Sequence, residues 1–324
     1  MRSPDEVRPL SYRRIIGFYC AVAVALMVGA TTLFSSLGSS ADVELSLPAT
    51  VDVPVAELPL EVNARVRYWM ERFTSDQRST FEQYMRRKGL YEDLIVERLR
   101  SRGMPDELLY LAMIESGFQA RALSQVAAVG LWQFMGPTAQ QYGLRVDSWV
   151  DERRDPIRAT DAALTYLQWL HDRYDSWYLA AAAYNAGPGR VDRALRRGGP
   201  ASATDDVDLY WDIIHHLPRE TREHVPKLLA ATLLARNAKA MGFEIEPDQA
   251  YEFDRVWVPG GTPLRTVARG LDVPAQLIRD LNPHLIRGVT PPGGSYGLRV
   301  PVGRTAQVVA SIGGGRWGAL RGDD

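Results

Sequence analysis

The sequence predicts a mainly α-helical body followed by a small α/β module of strand–helix–helix–strand order, behind an apolar N-terminal segment. Three observations carry this. Residues 61–242 space their apolar side chains as helices do and show no strand-like alternation. After Phe243 the texture changes to short β-branched runs divided by Gly and Pro turns. Residues 15–41 contain no charged side chain. With 324 residues, 46% of them hydrophobic and 24% charged, the chain is globular and long enough for about two domains. Lys+Arg 38 against Asp+Glu 39 leaves a net charge of -1, so whole-chain affinity for nucleic acid has no electrostatic basis and none is expected as a partner. A single cysteine excludes an intrachain disulfide and a cysteine zinc site. The five histidines show no metal-ligand spacing, and the pair His215–His216 reads as surface or core filler, so no metal site is expected.

The elements follow in order. Ile15 to Leu37 is nearly continuous apolar sequence, long enough for a helix of about 20 residues to cross a bilayer core. Arg8, Arg13 and Arg14 precede it, while Asp42 and Glu44 follow it, which leaves the N-terminus in the cytoplasm and the remainder outside. Residues 1–41 therefore read as a membrane anchor or signal segment. Its length favours the anchor, and the small residues Ser39 and Ala41 fit signal cleavage. Cys20 follows bulky residues, where a lipidation site needs small ones, and reads as a membrane-buried thiol. Residues 42–60, with Pro48, Pro54 and Pro59 among valines, form an extended tether. The helical body occupies 61–242. Pro105-Asp106-Glu107 opens a helix, Asp155-Pro156 supplies an N-cap and a proline at N1, and Ser176 caps an alanine-rich helix ending at Gly187. The stretch 198–206 is a loop. The module occupies 251–303, with strands at 256–258 and 296–301 and helices at 263–270 and 274–281. Residues 304–324 form a flexible tail.

Within the body, Leu108, Leu111 and Glu115 fall on one helical arc, so Glu115 projects from a face that also buries leucines. A carboxylate there loses hydration, which favours its neutral form, the form a general acid needs. Gly117 ends the helix two residues later, where clefts open. The alternative is a carboxylate turned outward or paired with an arginine. Two further segments place amides and a phenol among large apolar side chains: Gly130 to Met135, with Gln133, and Ala182 to Gly187, with Tyr184 and Asn185. Buried amides require partners, and sugars are bound by aromatic faces and neutral hydrogen-bonding groups.

ESGF at 115–118, GLWQFM at 130–135 and AAYNAG at 182–187 resemble, in order and spacing, the three signature motifs of the lytic transglycosylases with the lysozyme-like fold. Their context, including WVDERRDPIRAT at 149–160 and LPRET at 217–221 before His224, is closest to the membrane-bound murein transglycosylase D subfamily. The resemblance covers about Val62 to Gly303. The fold class it implies is mainly α: a lysozyme-like transglycosylase domain followed by a small α/β LysM-like module. It also implies a peptidoglycan lytic transglycosylase on the periplasmic face of the bacterial envelope, anchored in the inner membrane by the N-terminal segment. The substrate would be peptidoglycan glycan strands, cut between N-acetylmuramic acid and N-acetylglucosamine with formation of 1,6-anhydro ends.

In that family Glu115 is the single catalytic acid/base. Ser116, Ser124, Gln133 and Met135 shape the substrate site, and Tyr184 and Asn185 contact the N-acetyl group and the reacting centre. No cofactor is implied. Two departures stand out. Ala127-Ala128 replaces the usual Gly-Ala before the second motif, and His224 replaces a tyrosine that lines the cleft. The module resembles a degenerate LysM domain, a glycan-binding class, with Thr262-Pro263-Leu264 in place of its usual opening. All three motifs precede residue 190, so the module is expected to be dispensable for the chemistry. Two other classes remain open: a lysozyme-like muramidase using Glu152 or Asp155 as second acid, and a silent wall-binding scaffold. Capping and arginine pairing are the alternative roles for those two carboxylates.

Overall fold

The structure, a computed structural model, describes residues 57–198 and 206–312. The apolar segment 1–41, most of the tether, residues 199–205 of the expected loop and residues 313–324 of the tail lie outside the described residues. Among the described residues, no helix is long and apolar enough to cross a membrane.

Twelve α-helices and one two-stranded sheet make up the described chain. The helical body contains α1 (Ala64–Thr74), α2 (Arg78–Arg100), α3 (Leu109–Ser116), α4 (Gly136–Gln141), α5 (Pro156–Tyr174), α6 (Trp177–Ala186), α7 (Pro188–Gly198), α8 (Asp206–Ile213) and α9 (Arg219–Arg236). Short 3₁₀ turns precede α3, α5 and α9. Helix α2 buries Phe81, Met85, Ile95 and Leu99 along one stripe, the spacing of a helix with a single core face. Helix α3 differs: Leu109 to Met113 are all buried, as in a helix surrounded by protein. Helices α9 and α2 pack against it. Ala180 to Ala183 are wholly buried, and their small side chains let α5 and α9 approach the α6 backbone.

The caps behave as their residue types dictate. Asp155 accepts the N–H groups of Ile157 and Arg158 at the start of α5, and Ser176 accepts that of Leu179 in α6. Gly117 closes α3 in the left-handed conformation at φ 58°, and an added Cβ would fall 2.2 Å from the Tyr84 ring. Of the tether, only 57–60 are described. They are irregular chain laid on the body, with Leu58 buried and the Pro59 carbonyl accepting from the Tyr178 hydroxyl.

In the module, β1 (Asp254–Pro259) pairs antiparallel with β2 (Ser295–Val300), Val256 opposite Leu298. Helices α10 (Leu264–Leu271) and α11 (Ala275–Leu281) lie between them in sequence. Val256 and Val258 point into a core with Leu264, Val267, Ile278 and Leu298, while Arg255 and Trp257 point outward. The expectation of a flexible tail from residue 304 is corrected here. Thr305–Ile312 form α12, whose Val308 is fully buried against β1 and α10. The apolar pair Val308–Val309 inside the expected tail is the signal for it.

The module is docked on the body rather than tethered to it. Val150 of the body is buried in the module's core. Asp151 N–H donates to the His284 carbonyl at 3.0 Å, and Ile286 N–H to the Trp149 carbonyl at 3.3 Å. The Arg287 guanidinium covers the Trp149 ring, and Arg121 pairs with Asp280 at 2.8 Å. The connecting chain is strapped down as well, since Asp248 and Tyr251 donate their N–H groups to Arg86 and Leu90 of α2. At the centre, Arg299 of β2 donates twice to Asp155, at 2.7 and 2.9 Å, with both side chains almost fully buried.

Candidate active site

Glu115 is the last residue but one of α3, held over the helix end by the left-handed turn at Gly117. Its side chain is 14% exposed, and its Oε1 meets His224 Nε2 of α9 at 2.7 Å. Residues 109 apart in sequence are thus joined at the carboxylate. The His224 ring is buried, and its Nδ1 has no hydrogen-bond partner.

The second motif is a tight loop. Val129 and Phe134 exchange backbone hydrogen bonds at 3.1 Å, and Gly130 N–H donates to the Ala122 carbonyl. Gly130 adopts φ +85°, and a Cβ there would lie 1.8 Å from the Arg153 carbonyl oxygen. Gly130→Ala is therefore expected to destabilise the fold by about 3 kcal/mol, through left-handed strain and overpacking. A denaturation midpoint within error of wild type would show that the loop can move aside. Phe118 at φ 58°, Ala127 at φ 63° and Gln133 at φ 48° are also left-handed without being glycine. Such strain gathers at sites where surrounding structure over-determines the backbone. Ala127 is the position where the lytic transglycosylases resembled by the sequence usually carry glycine, so the replacement strains the turn. Arg153 fixes this loop from outside, donating to the Ala127 and Phe134 carbonyls while its guanidinium pairs with Asp151.

The third motif reaches the second through Tyr184, whose hydroxyl donates to the Trp132 carbonyl at 2.7 Å. Burial first, then the Glu115 charge and Tyr166, push its hydroxyl well above the ordinary phenol range, so it stays neutral. Asn185 accepts from the Thr221 hydroxyl at 2.8 Å. Thr221 lies one turn before His224 on α9, and sequence reasoning missed it; its only signal was the i, i+3 spacing within 217–227. Nearby, Lys227 holds its ammonium 4.3 Å from the Trp69 ring centroid. Burial lowers its pKa against the opposing pull of Glu223, Glu220 and Glu115.

The remaining sequence candidates hold the loops. Ser116 Oγ donates to the Leu131 carbonyl at 2.8 Å, tying α3 to the second motif, and accepts from Gln119 N–H. Ser124 Oγ accepts from Ala128 N–H, and Gln133 donates to the Gly130 carbonyl. Met135, 43% exposed, caps α4 through its backbone and makes no hydrogen bond to Glu115 or His224. Glu152 takes the Arg145 N–H and Asp155 is committed to its cap and to Arg299, so capping and arginine pairing account for both carboxylates. A groove of about 820 Å³, which Glu115 does not line, lies among Phe118 to Arg121, Tyr91 of α2, Tyr251 of the connecting chain and Leu277 and Val302 of the module.

Comparison with known proteins finds two family matches and several curated relatives. Residues 94–206 match the transglycosylase SLT domain, and residues 252–312 match the LysM-like domain of the lytic transglycosylase MltD. Membrane-bound lytic murein transglycosylase D of Escherichia coli K12 is 29% identical over 252 residues, 74% of this chain and 55% of the relative. A putative tributyltin chloride resistance protein of Alteromonas sp. M-1 is 43% identical over 102 residues, 31% of this chain and 49% of the relative. Soluble lytic murein transglycosylase of Escherichia coli K12 is 30% identical over 147 residues, 43% of this chain and 22% of the relative. The chain spans about half the length of the first of these relatives. Glu115, the second-motif loop, Tyr184 and Asn185 all lie inside the region that matches the transglycosylase SLT domain, and the module coincides with the region that matches the LysM-like domain of MltD.

Proposed function

We propose that the chain is a peptidoglycan lytic transglycosylase in which Glu115 acts first as acid and then as base. The observation that carries this is one largely buried carboxylate set at the meeting point of three motif segments and hydrogen-bonded to His224. Neutral Glu115 protonates the oxygen leaving C1 of N-acetylmuramic acid. The neighbouring N-acetyl carbonyl steadies the charge at C1, oriented by Tyr184 and Asn185. The resulting carboxylate takes the proton of the C6 hydroxyl as that oxygen closes onto C1. The attack is intramolecular, so much of its entropic barrier is removed beforehand, and one carboxylate suffices. A hydrolase would need a second carboxylate for water, and Glu152 and Asp155 are engaged elsewhere.

Mass spectrometry of muropeptides released from bacterial peptidoglycan tests the proposal. Anhydro ends, lighter by one water and resistant to borohydride, are expected. Reducible, water-added ends as the main product would make the protein a muramidase, and no release at all would make it a scaffold. The same reading places residues 42–324 in the periplasm, with residues 15–37 as an inner-membrane anchor. A reporter fused after residue 60 should be active only outside the cytoplasm, and a soluble product starting near Asp42 would mean that the segment is cleaved.

A further inference from the structure

The contact between Glu115 Oε1 and His224 Nε2, at 2.7 Å, leaves open which partner carries the proton. The other ring nitrogen decides it. Nδ1 is buried with no hydrogen-bond partner, so a proton placed there would be an unsatisfied buried donor, and an imidazolium would need that proton. We propose that His224 is a positioning residue for Glu115: a neutral imidazole, protonated on Nε2, that donates to Oε1 and leaves Oε2 to give and take the proton. The proposal rests on the transglycosylase reading above.

Other charged and titratable groups stand around the pair without replacing this bond. Neutral Tyr184 of α6 and Lys227 of α9 feel the Glu115 charge, Lys227 also feels Arg72 of α1, and Glu220 and Glu223 lie on α9 itself. Glu223 is taken by Arg65 and by the Trp69 indole N–H, at 3.0 and 2.7 Å, and Arg72 by Asp76. His224 therefore supplies the one hydrogen bond found at the Glu115 carboxylate among the described residues.

The consequence for the reaction is differential. While Glu115 is neutral, the Nε2–H bond to Oε1 is of ordinary strength. When the proton passes from Oε2 to the leaving oxygen and the C1–O bond breaks, the same bond becomes charge-assisted and stronger. It weakens again when the C6 oxygen bonds to C1 and its proton returns to Oε2. Interactions stronger in the transition state than in the ground state raise kcat rather than lower KM. The imidazole itself neither gains nor loses a proton.

The test uses the full chain, His224→Phe, His224→Gln and ¹⁵N spectra of histidine-labelled protein at neutral pH, with the His224 signal assigned by its loss in His224→Gln. The expected spectrum has a protonated Nε2 and a bare Nδ1. His224→Phe should lower kcat by about 10- to 100-fold with KM within about twofold of wild type. His224→Gln, which restores an N–H donor, should recover most of that loss. Three outcomes would overturn the proposal: a protonated Nδ1, full kcat in His224→Phe, or a folded His224→Gln no faster than folded His224→Phe. If both variants unfold, the wild-type spectrum still decides, with the His224 signal identified by elimination from single substitutions of His171, His215, His216 and His284. Reducible muropeptide ends would instead remove the transglycosylase reading, while the spectrum would judge His224 independently.

Discussion

Glu115→Gln is expected to lower peptidoglycan cleavage by about 10²- to 10⁴-fold, the usual contribution of a positioned acid/base, while leaving the melting temperature unchanged or slightly raised. The amide keeps the shape of the carboxyl group and can still accept the His224 Nε2–H, so the join between α3 and α9 survives. What it cannot do is release a proton to a leaving oxygen. A side chain only 14% exposed is also desolvated, and a neutral amide there costs less to bury than a carboxylate. Cleavage and thermal melting should be measured on the same preparations. Residual activity above about a tenth of wild type would mean that another acid performs the reaction.

The largest expected effect on stability lies far from Glu115 in the sequence. Arg299→Met should destabilise the protein by about 3–5 kcal/mol, because it leaves the Asp155 carboxylate buried without a counter-charge. Burial alone would raise the Asp155 pKa, but Arg299 first and His284 next bring it below the ordinary carboxylate value. Adding Asp155→Asn to Arg299→Met should recover part of the loss, since the amide carries no charge. Chemical denaturation of the two variants checks both statements. A loss below about 1 kcal/mol for Arg299→Met would mean that water reaches the carboxylate.

The same junction makes stability depend on pH. Burial, only partly opposed by Asp155, depresses His284 to about 4, so its imidazole is neutral in the fold at neutral pH. Between its ordinary value near 6.5 and about 4 the unfolded chain binds a proton that the folded protein does not. Stability contributed by this group is therefore complete above about 6.5 and falls as pH drops towards about 4. The lowered Asp155 carboxyl acts in the same direction at still lower pH. Acid titration of the denaturation midpoint should show this loss, and His284→Gln should flatten the upper part. An unchanged slope in that variant would assign it to other groups.

Much of this protein was legible in the sequence because the determining interactions are local. Asp155-Pro156 and Ser176 cap the helices they precede, and Gly117 ends α3 where a left-handed residue is required. The boundaries of the module's strands and helices follow β-branched runs and Gly/Pro turns, within a residue or two of where hydrogen bonding places them. The spacing of Leu108, Leu111 and Glu115 pointed to one leucine-lined face, whereas Leu108 lies in the preceding 3₁₀ turn and α3 buries Leu109 to Met113 on every side. The tail was misjudged because α12 is short and its sequence, TAQVVASI, has little intrinsic preference. It is helical because Val308 finds the module's core.

The sequence by itself determined the order of elements, the caps, the apolar faces and the motif residues, since each depends on neighbours within a turn or two of chain. Only the tertiary structure decided which distant groups meet. Glu115 lies 109 residues from His224, and Asp155 lies 144 from Arg299. No spacing rule reaches across such intervals. The motifs all precede residue 190, which made the module look dispensable. Yet the segment that docks it also fixes the second-motif loop, for Asp151 binds the His284 carbonyl through its N–H and Arg153 through its carboxylate, and Arg153 holds Ala127 and Phe134. Buried charges and unpaired N–H groups are costly wherever they fall in a chain, so their partners are chosen in space, and sequence order does not record the choice.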